Sequence, residues 1–452
     1  MKKILLLDPV GFRVPSGRHF HPLRDWTGSY IIGDIPSPPM DLMYAAAYVR
    51  QKGHEVKIVE GNVNHWGEGE VSRIVRRESP DFVLIPSTYF SLSGDKHLAG
   101  SIKKAAPEVK IIFSGPPVTH DPAAVFNEGA ADFVALGELE LPLVDILEGK
   151  YEKNIAYREN GKIVHTERAL FDLNGLLPAA RDLVNNASYR YAFFNKQNPV
   201  TVMAISRGCA HSKCGFCPSA LYNSVQVRYR DFASVAGELE EIVMKYGIRE
   251  VFFKDQTFTA NRELVMSLCE YMISRDFRIF WRATTRVDMV DKELLSLMRR
   301  AGCYQVSFGF ENSSQESLDK ANKGITVEQS RKAALWSKES GLEVLGFFMF
   351  GLLGDTQKSM AEIYKFSREL NVDYAIFDMA YILPGTPYYE KLKEDPSVFL
   401  SPDIIRRYAG SAFLRFNLRP GFMFKQVKRI RSFSDLKFLA GVGLNAVKAY
   451  LS

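Results

Sequence analysis

Short apolar runs with no polar alternation recur along this chain, and stretches of helical periodicity separate them. In the first third they fall at 2–8 (KKILLLD), 54–60, 81–87, 109–115 and 131–137, with helical patterns at 40–53, 69–78, 95–106, 121–129 and 140–149. A strand with one face in water alternates apolar and polar residues, whereas a strand that is apolar throughout must be covered on both faces. Strand–helix repetition with such strands predicts a parallel sheet between two helical layers. Residues 1–150 are therefore expected to form a doubly wound, Rossmann-like α/β domain. Its ligand side would be the carboxyl ends of the strands, where the loops STYFS (87–91), GPPVTH (115–120) and GELELP (137–142) fall.

After a mixed segment at 151–198, expected as linker and cover, the alternation resumes. Strands are predicted at 200–205, 249–253, 278–284, 304–310, 343–350 and 373–379, with helices at 231–246, 261–275, 290–301, 326–340 and 356–371. Six βα units predict a partial (β/α)6, TIM-like barrel over 199–390, with its site at the carboxyl ends of the strands. Residues 391–452 are expected as a basic, aromatic, helical C-terminal extension. Ten Lys or Arg against two Asp fall within 401–452, so the net charge of +6 belongs to this tail and not to the body. An anionic membrane surface, nucleic acid or solubility would each account for such a charge, and packing on the barrel would account for an apolar helix face. At 46% apolar and 24% charged residues the composition is globular, and no run of eighteen apolar residues exists. The start, MKKILLLDPV, has a short apolar core ending in Asp-Pro without a cleavage site, which fits a buried first strand better than a signal peptide.

Three of the five cysteines lie within nine residues, in SRGCAHSKCGFC (206–217), directly after the first strand of the second series. Such a cluster is no disulfide framework; a reducing, cytoplasmic, metal-binding chain is expected. Cys209, Cys214 and Cys217 allow two sites. On an iron–sulfur cubane, three thiolates leave one iron open to substrate or cofactor. Alternatively His211 closes a zinc site of three sulfurs and one nitrogen, although the paired spacing of zinc modules is missing. Cys269 and Cys303 sit in apolar contexts and are expected as packing residues. No histidine follows His211, which excludes His-based acid–base chemistry from the barrel and leaves Tyr222, Tyr381 and carboxylates as proton handlers.

The cysteine loop, at that place in a six-unit barrel, resembles the radical S-adenosylmethionine superfamily. The superfamily's usual C-x3-C-x2-C is one residue shorter than the C-x4-C-x2-C found here, while SRGC and CGFC keep its pattern, including the aromatic Phe216 before the last cysteine. Four further stretches match in order: FFKDQTFT (252–259) is similar to the family's DDxFT, followed by RATTRVDMV (282–290), VSFGFENSSQESLDKANKGIT (306–326) and GFFMFGLLGDT (346–356). The resemblance implies that Cys209, Cys214 and Cys217 hold a 4Fe–4S cluster as metal ligands. Its open iron would bind S-adenosylmethionine, whose reductive cleavage yields a 5′-deoxyadenosyl radical. It also implies that Asp255 meets the amino group of that cofactor, that Arg286 and Phe216 contribute to cofactor binding at the barrel mouth, and that Glu311 accepts hydrogen bonds from the ribose. Lys323 would touch substrate or be solvated.

The first domain resembles the cobalamin-binding domain of the cobalamin-dependent subfamily, through SPPMDLMYAAAYVRQKGHEVKIVEG (37–61), PDFVLIPSTY (80–89), VKIIFSGPPVT (109–119) and ADFVALGELELPL (131–143). The corrin would lie over the strand ends, with Ser87, Thr88, Gly115 and Pro116 as contacts. DKHLAG (95–100) spells the D-x-H-x-x-G of other cobalamin domains but follows the third strand, so His97 is expected as a solvated helix residue and cobalt without a protein His ligand. The implied function is that of an anaerobic, cytoplasmic enzyme that methylates an unactivated carbon of a small-molecule or lipid-like substrate through methylcobalamin. An external electron donor such as flavodoxin or ferredoxin is implied, and no nucleic acid. The tail is similar to those of family members that act on hydrophobic substrates, which implies peripheral membrane contact. Two alternatives stay open: a radical cyclase of the magnesium-protoporphyrin ester cyclase type, and a non-catalytic, zinc-stabilised cobalamin carrier or sensor.

Overall fold

A computed structural model describes residues 1–8, 12–13, 19–20, 37–190, 195–223, 225–427, 430 and 436. They divide into two compact units, one of residues up to Tyr189 with Pro218–Glu238, the other of Arg190–Cys217 with residues from Leu239 onward. The chain thus passes into the first unit immediately after the third clustered cysteine. Of residues 151–198, expected as linker and cover, those up to Tyr189 lie within the first unit.

In the first unit, strands β1 (Lys3–Asp8), β2 (Glu55–Glu60), β3 (Phe82–Pro86), β4 (Lys110–Ser114) and β5 (Phe133–Ala135) are parallel, in the order β2-β1-β3-β4-β5. Two antiparallel strands, β6 (Ile155–Glu159) and β7 (Lys162–His165), extend the sheet beyond β5. Alternate residues feed opposite cores: Leu5, Leu7, Val83, Ile85 and Phe113 pack on one face, Ile4, Leu6, Leu84 and Ile112 on the other. Each such side chain taken fully out of water contributes about 1.5–3 kcal/mol, so both faces must carry helices. The strand order reverses between β1 and β3, which makes their carboxyl ends the crevice of this sheet. Of the helix predicted over 121–129 only Ala123–Phe126 forms, and the stretch expected as the loop GPPVTH holds a second short helix, Pro116–His120. Pro122 lacks an N–H and pushes Asp121 out of helical geometry, to φ −135°.

A buried ion cluster ties Pro218–Glu238 into this unit. Glu238 accepts from Arg181 Nη1 (2.6 Å), from Arg230 and from the Tyr44 hydroxyl (3.0 Å), and all four side chains are essentially fully buried. Glu138, in the loop after β5, pairs with Arg228 of the same segment, and Arg168 donates to the carbonyls of Leu221 (2.8 Å) and Tyr222 (3.0 Å).

In the second unit, β8 (Val200–Met203), β9 (Glu250–Phe253), β10 (Phe280–Thr285), β11 (Cys303–Glu311), β12 (Glu343–Phe350) and β13 (Tyr374–Met379) are parallel neighbours in chain order, the topology of an opened (β/α) barrel. Four of the connecting helices start where the side chain of Asn261, Asp291, Thr326 or Thr356 accepts from a first-turn N–H. Phe348 of β12 packs toward Phe366 of the helix Gln357–Glu369, while Leu345, Phe347 and Met349 lie half-buried on the opposite face. In the tail, the helix Pro402–Asn417 packs on the barrel, with Phe416 against Phe377 of β13 (5.6 Å between rings). The next helix, Pro420–Val427, leaves Met423, Phe424 and Val427 exposed. Beyond Val427 nearly all of the expected tail lies outside the described residues. No helix among the described residues is long and apolar enough to cross a membrane.

Candidate active site

The cysteine loop leaves the carboxyl end of β8. Just ahead of it, Asp255 Oδ1 accepts from the N–H of Ile205 (3.1 Å), the N–H of Ser206 (2.6 Å) and the Ser206 hydroxyl (2.5 Å). Burial pushes this carboxyl up to about 6, against the pull of the Ser206 hydroxyl and the two N–H groups. Within the loop, Ser212 is left-handed (φ +49°) and its hydroxyl donates to the Cys209 carbonyl (2.5 Å), while Cys209 Sγ lies 3.7 Å from Thr257 Oγ1. All three cysteines are half-buried. Burial holds the Cys214 thiol above its ordinary value, with Lys323 pulling the other way.

The loop is fastened to the turn Ala321–Gly324 through main-chain carbonyls. Gly215 N–H donates to Ala321 O (2.9 Å) and His211 Nε2 bonds Asn322 O (2.5 Å). Arg286 Nη2 takes the next two carbonyls, Lys323 (3.1 Å) and Gly324 (3.3 Å), while its Nε and Nη2 also grip Asp288 (2.9 Å each). On its other side Gly215 O accepts from Tyr388 N (2.9 Å), and a Cβ on Gly215 would sit 2.6 Å from the Tyr388 ring. The Tyr388 hydroxyl accepts from Leu353 N (2.9 Å), and Phe216 meets the same ring edge-on at 6.2 Å.

Lys323 turns its side chain back to Glu311, Nζ to Oε1 2.6 Å, and the pair is nearly buried. Burial alone would lower Lys323, but Glu311 and Cys214 together raise it. Glu311 ends β11 at φ +59°, a left-handed conformation costly for a non-glycine residue, at a break in register with β12. Gly309 is bare because a Cβ there would lie 2.4 Å from Glu311 Oε1 and 2.8 Å from Lys323 Nζ. The neighbouring motifs brace this end of the barrel. Asp355 accepts from Asn312 Nδ2 (3.0 Å), the Ser317 hydroxyl (2.8 Å) and Gly351 N (2.9 Å), and burial holds its carboxyl up against those donors.

In the first unit, the carboxyl ends of β3 and β4 carry Ser87 and Ser114, whose buried hydroxyls have no hydrogen-bond partner among the described residues. Beside them Gly115 has φ +109°, and a Cβ there would sit 2.0 Å from Ser87 O, so only glycine allows this approach. Thr88 is engaged locally, its hydroxyl accepting from Ser91 N (3.1 Å) at the start of the helix Leu92–Ala105, and Pro116 opens the helix Pro116–His120. Such hydroxyls beside a bare main chain, at the strand ends of a doubly wound sheet, fit a ligand that brings its own polar groups. His97 is exposed on the helix Leu92–Ala105.

Residues 203–367 match the radical SAM superfamily model, and residues 35–147 the B12 binding domain model. Over 433 residues the chain is 30% identical to an uncharacterised methyltransferase of Pyrococcus horikoshii, covering 90% of this chain and 93% of that one. The chain belongs to the cobalamin-binding radical S-adenosylmethionine enzymes. It is also 28% identical to the anaerobic magnesium-protoporphyrin IX monomethyl ester cyclase of Rubrivivax gelatinosus, over 84% of this chain and 70% of that one. The fold is that of the radical S-adenosylmethionine methyltransferase TsrM of Kitasatospora setae, solved with cobalamin and a 4Fe–4S cluster (TM-score 0.69, 17% identity, 89% of this chain and 76% of that one). The cofactors of such an enzyme are cobalamin, S-adenosylmethionine and a 4Fe–4S cluster, and its substrate is a small molecule.

For a cobalamin-binding radical S-adenosylmethionine enzyme, the structure gathers Cys209, Cys214, Arg286, Glu311 and Lys323 into one electrostatic neighbourhood. Asp255, expected at the cofactor's amino group, has its carboxylate turned to Ile205 and Ser206, and Arg286 holds a turn. Tyr222 belongs to the first unit and Tyr381 is half-buried. Cys269 and Cys303 are buried. Among the described residues no three His, Cys, Asp or Glu side chains converge as they would about a single ion, and the His211 ring is engaged with Asn322. Three cysteines on one loop, the His211 ring being engaged elsewhere, are the number that leaves one iron of a cubane open. Sequence reasoning missed Tyr388, Asn312 and Asp355. Asn312 and Asp355 stand inside quoted motifs, but nothing near Tyr388 announces its contact with Gly215.

Proposed function

We propose that this enzyme methylates an unactivated carbon of an apolar acceptor. Cys209, Cys214 and Cys217 would hold the cluster, and the observation that carries the reading is their half-buried position on a loop locked to main-chain carbonyls at the strand ends. When bound, the cluster, S-adenosylmethionine and cobalamin supply the electron, the hydrogen-abstracting adenosyl group and the methyl group. Glu311, with Oε1 given to Lys323, offers its second oxygen to ligand hydroxyls. Asp255 sets the approach of the loop, and Arg286 fixes the turn that receives it. Ser87, Ser114 and Gly115 would take the cobalamin, with Thr88 and Pro116 at the edge of that site. The acceptor would lie on the face of β12 and β13 that carries Leu345, Phe347, Met349 and Ile376, half-buried residues opposite the face that packs toward the helix Gln357–Glu369. Register places Gly309 beside Phe347 and Phe347 beside Ile376, so this apolar row begins next to the Glu311–Lys323 pair.

Flavodoxin or ferredoxin would donate the electron. The exposed Met423, Phe424 and Val427 and the basic tail favour contact with an anionic membrane surface. The full-length likeness to a protein named a methyltransferase supports methyl transfer; the likeness to a cyclase supports the second reading, radical ring closure without methyl transfer.

Anaerobic reconstitution with ferrous iron, sulfide, S-adenosylmethionine and hydroxocobalamin, in an extract offering apolar acceptors, tests this. Near four irons per chain, with both 5′-deoxyadenosine and S-adenosylhomocysteine formed, is the expected result. Deoxyadenosine alone would transfer the assignment to the cyclase, and one zinc with neither product would leave a carrier.

A further inference from the structure

The spacer Ala210–Lys213 is one residue longer than the family's usual loop, and the structure shows what the longer loop does. His211 Nε2 lies 2.5 Å from the carbonyl oxygen of Asn322, a contact between segments 111 residues apart. A carbonyl only accepts, so Nε2 carries the proton. The ring rests on Gly324, which is left-handed (φ +69°), and a Cβ there would lie 2.5 Å from His211 Cε1. One residue past Cys214, Gly215 N–H takes the adjacent carbonyl, Ala321 (2.9 Å). Cys214 therefore stands between two ties to consecutive carbonyls of one turn, and that turn also carries the lysine that pairs with Glu311.

We infer that His211 is a positioning residue that latches the enlarged spacer to Asn322 and Gly324 and so fixes the Cys214 sulfur. The inference rests on the reading of the three cysteines as cluster ligands only for its effect on the cluster; the latch itself is a property of the chain. With His211 removed, the side-chain tie the spacer keeps among the described residues is internal, Ser212 hydroxyl to Cys209 carbonyl, and Cys214 is held through Gly215 alone of the two ties to that turn.

The test compares wild type, His211→Ala, His211→Gln, whose amide can donate to the same carbonyl, and Gly324→Ala, each as the full chain with its thermal midpoint as a folding control. In metal-free protein, the alkylation rate of each loop cysteine by iodoacetamide is read by mass spectrometry. Loss of one hydrogen bond should speed Cys214 about 2- to 10-fold in His211→Ala and Gly324→Ala, and His211→Gln should restore it. In anaerobically reconstituted protein, His211→Ala should keep near-stoichiometric iron but change the electron paramagnetic resonance line shape and midpoint potential of the reduced cluster, with recovery in His211→Gln. Unchanged alkylation and unchanged spectra in His211→Ala overturn the latch. Wild type that takes up no iron overturns the functional reading instead, and the alkylation rates still decide the latch.

Discussion

Ser87 and Ser114 bury hydroxyls that find no partner among the described residues, an arrangement costing about 1–3 kcal/mol per group unless something else supplies the bond. Ser87→Ala should therefore raise the thermal midpoint of cobalamin-free protein while weakening cobalamin binding about 2- to 10-fold. Calorimetric unfolding and titration measure both, and a variant altered in neither removes Ser87 from that site. The Glu311–Lys323 pair makes a different demand. Lys323→Met would leave a carboxylate buried beside Gly309 without its counter-charge, and should cost about 3–5 kcal/mol in urea unfolding. A cost below 1 kcal/mol (about the worth of an exposed pair) would mean that water already reaches the site. Both positions show what was legible at this scale. Glu311 and the cysteines were visible because their chemistry resides in residue type and spacing. Tyr388 was not, because its work is a main-chain bond to Gly215 and a ring against a missing Cβ, which no local pattern encodes. Asp255 was visible as a strand-end carboxylate, but its partners, Ile205 and Ser206, are fixed only by the pairing of β8 with β9.

Glu250 opens β9 at the end of the barrel away from the cysteines. It accepts from the Tyr304 hydroxyl of β11 (2.6 Å) and from the N–H groups of Lys196 (3.2 Å) and Gln197 (3.1 Å). Burial pushes its carboxyl from 4.5 up to about 6 despite those donors. The unfolded chain releases the proton near 4.5 and the folded one holds it to about 6, so unfolding over that window releases a proton. The stability contributed is full below 4.5, falls as pH rises to about 6 and is flat above. Glu250→Gln should make this decline shallower in unfolding free energies measured in urea between pH 4.5 and 6, leaving the part due to Asp255, whose carboxyl burial also raises to about 6; an unchanged slope would remove Glu250 as a source. Strands and helices themselves were legible, since a strand covered on both faces has to be apolar throughout. The exceptions have local causes. Pro122 separates the helix Pro116–His120 from Ala123–Phe126 and so shortens the helix predicted over 121–129, and β6 and β7 join the sheet as antiparallel strands because β5 has a free edge that a short hairpin can pair.

Sequence order and spatial order part company at the level of the whole molecule. Pro218–Glu238 belongs with the first unit although Cys217 belongs to the second, and the reason is the carboxylate of Glu238, buried between Arg181 and Arg230. Nothing in the run FASVAGELE marks that glutamate as different from an exposed helix residue; only its two arginine partners, remote in sequence, do. A fragment ending at residue 189 loses the acid that Arg181 pairs with, which should cost about 3–5 kcal/mol relative to the same fragment with 218–238 joined by a linker. Equal urea midpoints for the two fragments would show that the segment is dispensable to the fold.

Because the cysteine loop is held by amide–carbonyl bonds from Gly215 to Ala321 and Tyr388, its seat does not depend on what the sulfurs carry. Protein bleached by air should keep an empty socket of the right shape and regain its brown colour on anoxic addition of ferrous iron and sulfide, with no passage through denaturant.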